Sequence, residues 1–244
     1  MTTAVLSVEA AILDALATVT DPELDEPITD LGFVRSVSID DDGVTVHLRL
    51  PTAFCAPNFA YLMASDALDA LRALDGIGEV RVFLDDHHDS EKINSGLAAD
   101  AGYLGTFGGE AEESLAELRN VFWRKAHAAA MERAVAALLR QRPSDADQIG
   151  RLTLRDLPEG KPKAALLRRR FAIGLSNCPN SRVLVDDEGR AIPPEAVPLR
   201  LRFAKSVRIS MEGNAHFCRG LLATRYADDD TAGAVPVVTN TKTL

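Results

Sequence analysis

The chain has 244 residues, 46% hydrophobic and 26% charged, with a formal net charge of −9. This is a soluble globular composition, rich enough in apolar residues for a core and sized for one large domain or two small ones. No apolar run approaches the roughly 18 residues of a membrane span, and three cysteines without framework spacing (Cys55, Cys178, Cys218) argue against a disulfide scaffold and for reduced thiols.

The opening stretch "MTTAVLSVEAAILDALATV" has no Lys or Arg and carries Glu9 and Asp14. It lacks the basic region of a secretory leader, so a cytoplasmic location is expected. Ser7 is placed to cap a helix with Ile12, Leu13, Leu16 and Val19 at helical spacing, ending before Pro22. Two alternating runs, 33–39 and 44–50, flank "DDDG" and predict a hairpin turning at Gly43. An amphipathic helix follows at 57–74, closed by Gly76, and then a third strand, "EVRVFL", at 79–84.

Residues 1–95 thus form a small α-β-β-α-β domain, and 96–109 read as a glycine-bearing linker. Residues 110–142 predict one long helix, with acids in its first turn and arginines in its last, as the helix dipole favours. Residues 143–226 read as mainly β, from alternating runs such as "PLRLRFA" and "SVRISME". Residues 227–244 read as a disordered tail. The expected class is α+β.

Charge is unevenly spread. Residues 1–118 hold 5 Lys and Arg against 23 Asp and Glu, whereas residues 119–244 hold 22 against 13. The two parts are suited to attract each other, or the basic part to meet an acidic partner. Nucleic acid is not expected, because acids are scattered among the basic residues and aromatic platforms are missing.

A hairpin makes the first two strands antiparallel, and a helical connection allows the second and third to pair in parallel. The start of strand one (Thr29, Asp30), the end of strand two (Thr52, Cys55) and the end of strand three (Asp85, Asp86, His87, His88) then meet at one edge of the sheet. Cys55 sits just before a helix N-terminus, which favours a thiolate that binds a soft metal or attacks an electrophile. It also fits a small buried hydrophobe. "DDHHDSE" offers imidazole and carboxylate ligands of the kind that suit iron or zinc, or is a solvated acidic loop. Asp21, Glu23 and Asp30 are acidic candidates near the same edge, or turn formers and caps. A second candidate site joins Cys178 with His216 and Cys218, since residues two apart on a strand face the same side. No G-x-S-x-G, P-loop or G-x-G-x-x-G pattern occurs.

Four elements in order resemble the metal–sulfur cluster assembly family that includes the SufT and PaaD proteins. They are D-P-E (Asp21, Pro22, Glu23), D-L-G-x-V (Asp30, Leu31, Gly32, Val34), T-x-x-C-x-P (Thr52, Cys55, Pro57) and G-I-x-x-V-x-V (Gly76, Ile77, Val80, Val82). The resemblance spans about the first 95 residues. Ala56 stands where the family usually places a proline directly after the cysteine.

The resemblance implies a factor that matures iron–sulfur or other metal proteins, with the family's reactive cysteine at Cys55 and its acidic turn at Asp21 and Glu23. The expected function is therefore delivery of iron or an iron–sulfur cluster to a client metalloprotein, without enzymatic turnover. Cys55 would be a transient ligand, helped by His87 or His88. Expected partners are the client and the cluster-assembly machinery, and one such cysteine per chain suggests a homodimer sharing the metal. Two alternatives stand beside this: a chaperone for a metal-dependent oxygenase that binds no metal itself, and a thiol enzyme with Cys55 as nucleophile and His87 or His88 as base.

Overall fold

The computed structural model describes residues 7–110, 115–228 and 235–242. The chain divides into two compact units, one of Met1–Leu115 with Asn214–Leu244, the other of Ala116–Gly213.

The first unit begins with helix α1 (Val8–Leu16), whose cap Ser7 accepts the N–H of Ala10. Ile12 and Leu16, one turn apart, are fully buried. Strands β1 (Val34–Ile39) and β2 (Gly43–Leu48) pair antiparallel, and the Asp40 carboxylate closes their turn by accepting the N–H groups of Asp42 and Gly43. Gly43 is required by crowding. A Cβ there would lie 2.0 Å from the carbonyl oxygen of Glu79, the first residue of β3 (Glu79–Leu84). Helix α2 (Pro57–Arg72) carries the chain from β2 to β3, which pair in parallel from Gly43↔Glu79 to Leu48↔Leu84.

Val37, Ile39, Val44, Val46, Leu48, Val82 and Leu84 are buried with Ala60, Ala64, Ala67 and Leu71 of α2 in one core. Each large side chain so buried contributes about 1.5–3 kcal/mol. The expected α-β-β-α-β order is what folds, with β3 at the residues the pattern indicated.

The segment 96–109, expected as an irregular linker, is structured. Helices α3 (Ser90–Ala98) and α4 (Gly102–Phe107) place Ile93, Leu97 and Phe107 in the same core. Gly96, which looks like a breaker in sequence, is a contact point: a Cβ there would meet Thr106 Oγ1 at 2.0 Å.

The tail also departs from expectation. Residues Val237–Asn240 form β4, parallel to β1, and Val238 packs on the core. The β-branched pair Val237–Val238 finds a ladder edge that β1 would otherwise leave open. The sheet order is β3-β2-β1-β4. Residues 229–234 and 243–244 of the expected disordered tail lie outside the described residues.

In the second unit the long helix is present as α5 (Leu115–Gln141), which enters it at Ala116. Residues 111–114 of the predicted helix lie outside the described residues, and Gly108–Glu110 forms a 3-10 turn. The mainly β reading of 143–226 is overturned. This stretch folds into 3-10 turns, helix α6 (Lys161–Ala172) and helix α7 (Val197–Arg225), with only isolated bridges at Thr153↔Arg182 and Val185↔Ala191. The alternation of "PLRLRFA" misleads because Leu199 and Phe203 are exposed, whereas Ala204, Val207 and Met211 turn inward at helical spacing. The unit's core gathers Met131, Val135 and Leu138 of α5 with Leu154, Leu166, Val183 and Leu184. Arg208 ties α7 to Glu132 of α5 and also pairs with Glu212, which Arg133 meets in turn. No helix among the described residues is long and apolar enough to cross a membrane.

Candidate functional site

The first unit brings the ends of β2 and β3 together, as the predicted topology required. After β2, the chain turns through Pro51–Ala56 before α2 begins. Thr52 Oγ1 accepts the N–H of Phe54 at 3.2 Å and lies 3.6 Å from Cys55 Sγ. Either the hydroxyl or the thiol can donate in that contact, and it ties the cysteine side chain to its own turn. Cys55 is half-buried, and its neighbour Phe54 is 82% exposed.

His87 and His88 follow β3 and hold this turn in different ways. Nδ1 of the buried His87 accepts the N–H of Asp89 at 3.1 Å, so its proton sits on Nε2, which donates to the carbonyl oxygen of Cys55 at 2.8 Å. Both nitrogens are therefore engaged by backbone. In this geometry His87 offers no lone pair to a metal or a proton, contrary to its expected role as ligand, and acts as a positioning residue. The N–H of His88 donates to Ala53 O at 2.9 Å, and its exposed ring tilts against Phe54 at 5.9 Å.

The acidic residues separate into distinct roles. Asp21 is buried and accepts the N–H groups of Glu23 and Leu24, each at 2.9 Å. Burial pushes its carboxyl up to about 6, against the pull of those two hydrogen bonds and with help from Glu23 and Glu26. Glu23 is exposed and accepts from the Asn214 amide at 3.2 Å. Asp30 is exposed and takes a long hydrogen bond, 3.5 Å, from the Thr29 hydroxyl beside it.

The last three turns of α7, which belong to this unit, supply what the sequence reading did not. Arg219 pairs with Glu26, Arg225 donates to the carbonyls of Leu50 and Asp86, and Tyr226 reaches the Asp86 carboxylate at 3.3 Å. The Tyr226 ring lies 5.0 Å from the guanidinium of the buried Arg49 and 5.2 Å from that of Arg225. The inward stripe of this segment is Ala215, Cys218, Leu222 and Tyr226, all packed on the first unit's core, as is Cys55. Burial pushes the Cys218 thiol up to about 11, and the negative charges of Asp21, Cys55 and Glu23 add to it while Arg219 opposes.

The expected grouping of Cys178, His216 and Cys218 does not form as reasoned. His216 and Cys218 lie on a helix, where residues two apart point to nearly opposite sides, so His216 is exposed and Cys218 turns inward. Cys178 is exposed and belongs to the second unit. The spacing of small inward residues along α7 was the signal that would have put Cys218 on the inward face of a helix. Among the described residues no group of three or more His, Cys, Asp or Glu is preassembled to hold a metal ion. The soft donor Cys55 is nonetheless of the type that iron accepts from proteins.

Comparison with known proteins bears on the same segment. The profile of the iron-sulfur cluster assembly protein family matches residues 9–82, from α1 into β3. An uncharacterized protein of Methanocaldococcus jannaschii is 36% identical over 87 residues, which cover 35% of this chain and 90% of that protein. An iron-sulfur cluster carrier protein of Mycobacterium leprae is 34% identical over 96 residues, 38% of this chain and 24% of that much longer relative. Through the domain that carries the Asp21 turn and Cys55, the chain belongs to the iron-sulfur cluster assembly protein family.

Proposed function

We propose that this chain carries iron, alone or within an iron–sulfur cluster, on Cys55 and delivers it to a client metalloprotein. The observation that supports this most directly is Cys55 itself. It is a half-buried thiol inside the family-matched segment, set in a turn that Thr52 and His87 hold from two sides. One thiolate in an open turn leaves coordination positions for exchange, which a carrier needs and a closed four-ligand site denies.

The exposed Phe54 beside Cys55 would dock the client or the cluster-assembly machinery, since an aromatic side chain left 82% exposed next to a reactive group gains most from being covered by a partner. The chain acts here as a binding and delivery factor, not as an enzyme, in the cytoplasm, and two chains would share one metal centre. The thiol-enzyme alternative, with His87 or His88 as base, loses its buried candidate, because both ring nitrogens of His87 are engaged by backbone groups.

The test is anaerobic reconstitution of the full chain with ferrous iron and sulfide, followed by visible absorption and metal analysis. Thiolate-to-iron charge-transfer bands that a Cys55→Ser variant lacks are the expected result. Equal iron binding by that variant would remove Cys55 as the ligand, and no binding by the wild-type chain would leave the metal-free chaperone reading in its place.

A further inference from the structure

We propose that Cys218, at the end of α7 and outside the family-matched residues, is the second thiolate of the Cys55 site, so that both sulfurs bind one thiophilic metal centre. The inference rests on the carrier reading above and names a ligand that the family resemblance does not supply.

The geometry carries it from three directions. Cys218 lies on the inward stripe of α7, in register with Ala215 one turn before and Leu222 one turn after, and these pack on the core that Cys55 also packs on. The helix is fastened on both sides of Cys218 to the segments that frame Cys55. Before Cys218, Asn214 holds Glu23, and just after it Arg219 holds Glu26. Towards its end, Arg225 donates to Leu50 O, just before the Cys55 turn, and to Asp86 O, just before the His87 that holds Cys55. Cys218 lies within the stretch that Asn214 pins at Glu23 and Arg225 pins at Leu50.

The chemistry of the neighbourhood suits a cation. Cys55 lies in the acidic part of the chain, and a soft metal ion offsets negative charge there and draws the proton from a bound thiol. Two thiolates still leave an iron or zinc centre with open positions, compatible with release to a client.

Cadmium tests the pair in the full-length chain. Titration should produce an ultraviolet thiolate-to-cadmium band that falls by about half in Cys218→Ser and in Cys55→Ser, each with at least tenfold weaker binding. Peptide-resolved alkylation of the wild-type chain is the companion measurement, because it does not depend on any variant folding. Bound cadmium should protect Cys55 and Cys218 together and leave Cys178 reactive. Protection of Cys55 alone, with an undiminished band in Cys218→Ser, overturns the second ligand and leaves the single-thiol carrier standing. Protection of neither overturns both. Repeating the alkylation after ferrous iron alone and after ferrous iron with sulfide separates a mononuclear centre from a cluster, and reactivity of Cys218 in both loaded forms counts against the pair.

Discussion

The His87 imidazole donates from Nε2 to the Cys55 carbonyl oxygen at 2.8 Å and accepts the Asp89 N–H at Nδ1. A residue just past the family-matched segment therefore fixes the backbone of the cysteine within it. The orientation of the thiol depends on that buried tie more than on the exposed imidazole of His88.

Replacing His87 by Ala removes both hydrogen bonds and leaves the Cys55 carbonyl and the Asp89 N–H to find water. The expected loss is about 1–3 kcal/mol of stability in the first unit. Cys55 should also alkylate several-fold faster, since its turn is no longer held. His88→Ala should leave both quantities within about 0.5 kcal/mol and twofold of the wild type. Equal alkylation rates in the three proteins would show that His87 does not position the thiol.

Asp21 supplies a pH dependence with a definite sign. Its folded value of about 6 stands above the usual 3.8, so the folded state holds a proton that the unfolded state has released. Stability from this group is therefore complete below about pH 4 and is lost as pH rises to about 6. Asp21→Asn keeps an oxygen to accept the Glu23 and Leu24 N–H groups while removing the charge. It should raise stability at pH 7 by about 1–3 kcal/mol and change it little at pH 4. Urea denaturation at the two pH values decides this, and an equal effect at both would contradict the assignment.

The second unit carries the opposite dependence. His127 is fully buried among alanines of α5, and neither ring nitrogen has a hydrogen-bond partner among the described residues. Burial, then the charges of Arg170 and Arg200, lower it to about 4, with Asp187 opposing. Its contribution is intact above about pH 6.5 and drains away as pH falls towards 4. Between pH 8 and pH 5 the wild-type second unit should lose about 2 kcal/mol to this group. His127→Leu should remove that loss, seen as hydrogen-exchange protection in α5 that no longer falls with acid. A variant as acid-sensitive as the wild type would rule His127 out as the cause.

The parts of the fold legible in the sequence are those where large apolar residues are also the buried ones. Val44, Val46 and Leu48 alternate visibly, and Ile12 and Leu16 stand one helical turn apart. In α7 this relation is inverted. Leu199, Phe203, Ile209 and Phe217 are exposed, and the inward stripe runs through Ala204, Met211, Ala215, Cys218 and Leu222. A period carried by small residues is faint beside large exposed ones, so the helix reads as strands and Cys218 appears on the wrong face. Cys55 was legible because four local elements surround it. Cys218 was not, because only tertiary contacts at Glu23, Glu26 and Leu50 bring that turn of α7 into the first unit.

The pairing of β4 with β1 is the most remote contact in the sheet and is separable from the site. β4 is mostly exposed, and its link to the core is Val238, together with the ladder from Ser36↔Val237 to Ile39↔Asn240 and the hydrogen bond from Thr241 N to Ile39 O at 2.9 Å. Removing residues 235–244 exposes the edge of β1 while leaving β1–β2–β3 and the Cys55 turn intact. The expected cost is about 1–2 kcal/mol, from one partly buried valine and a few net hydrogen bonds. Amides of 36–39 should then exchange faster, and the chain should tend to associate through the unpaired edge. Cadmium binding at Cys55 should not change. A truncated chain with unaltered exchange in β1 would mean that β4 does not pair there in solution. Lost cadmium binding would mean instead that the tail supports the cysteine site, by a route the β1–β4 ladder does not provide.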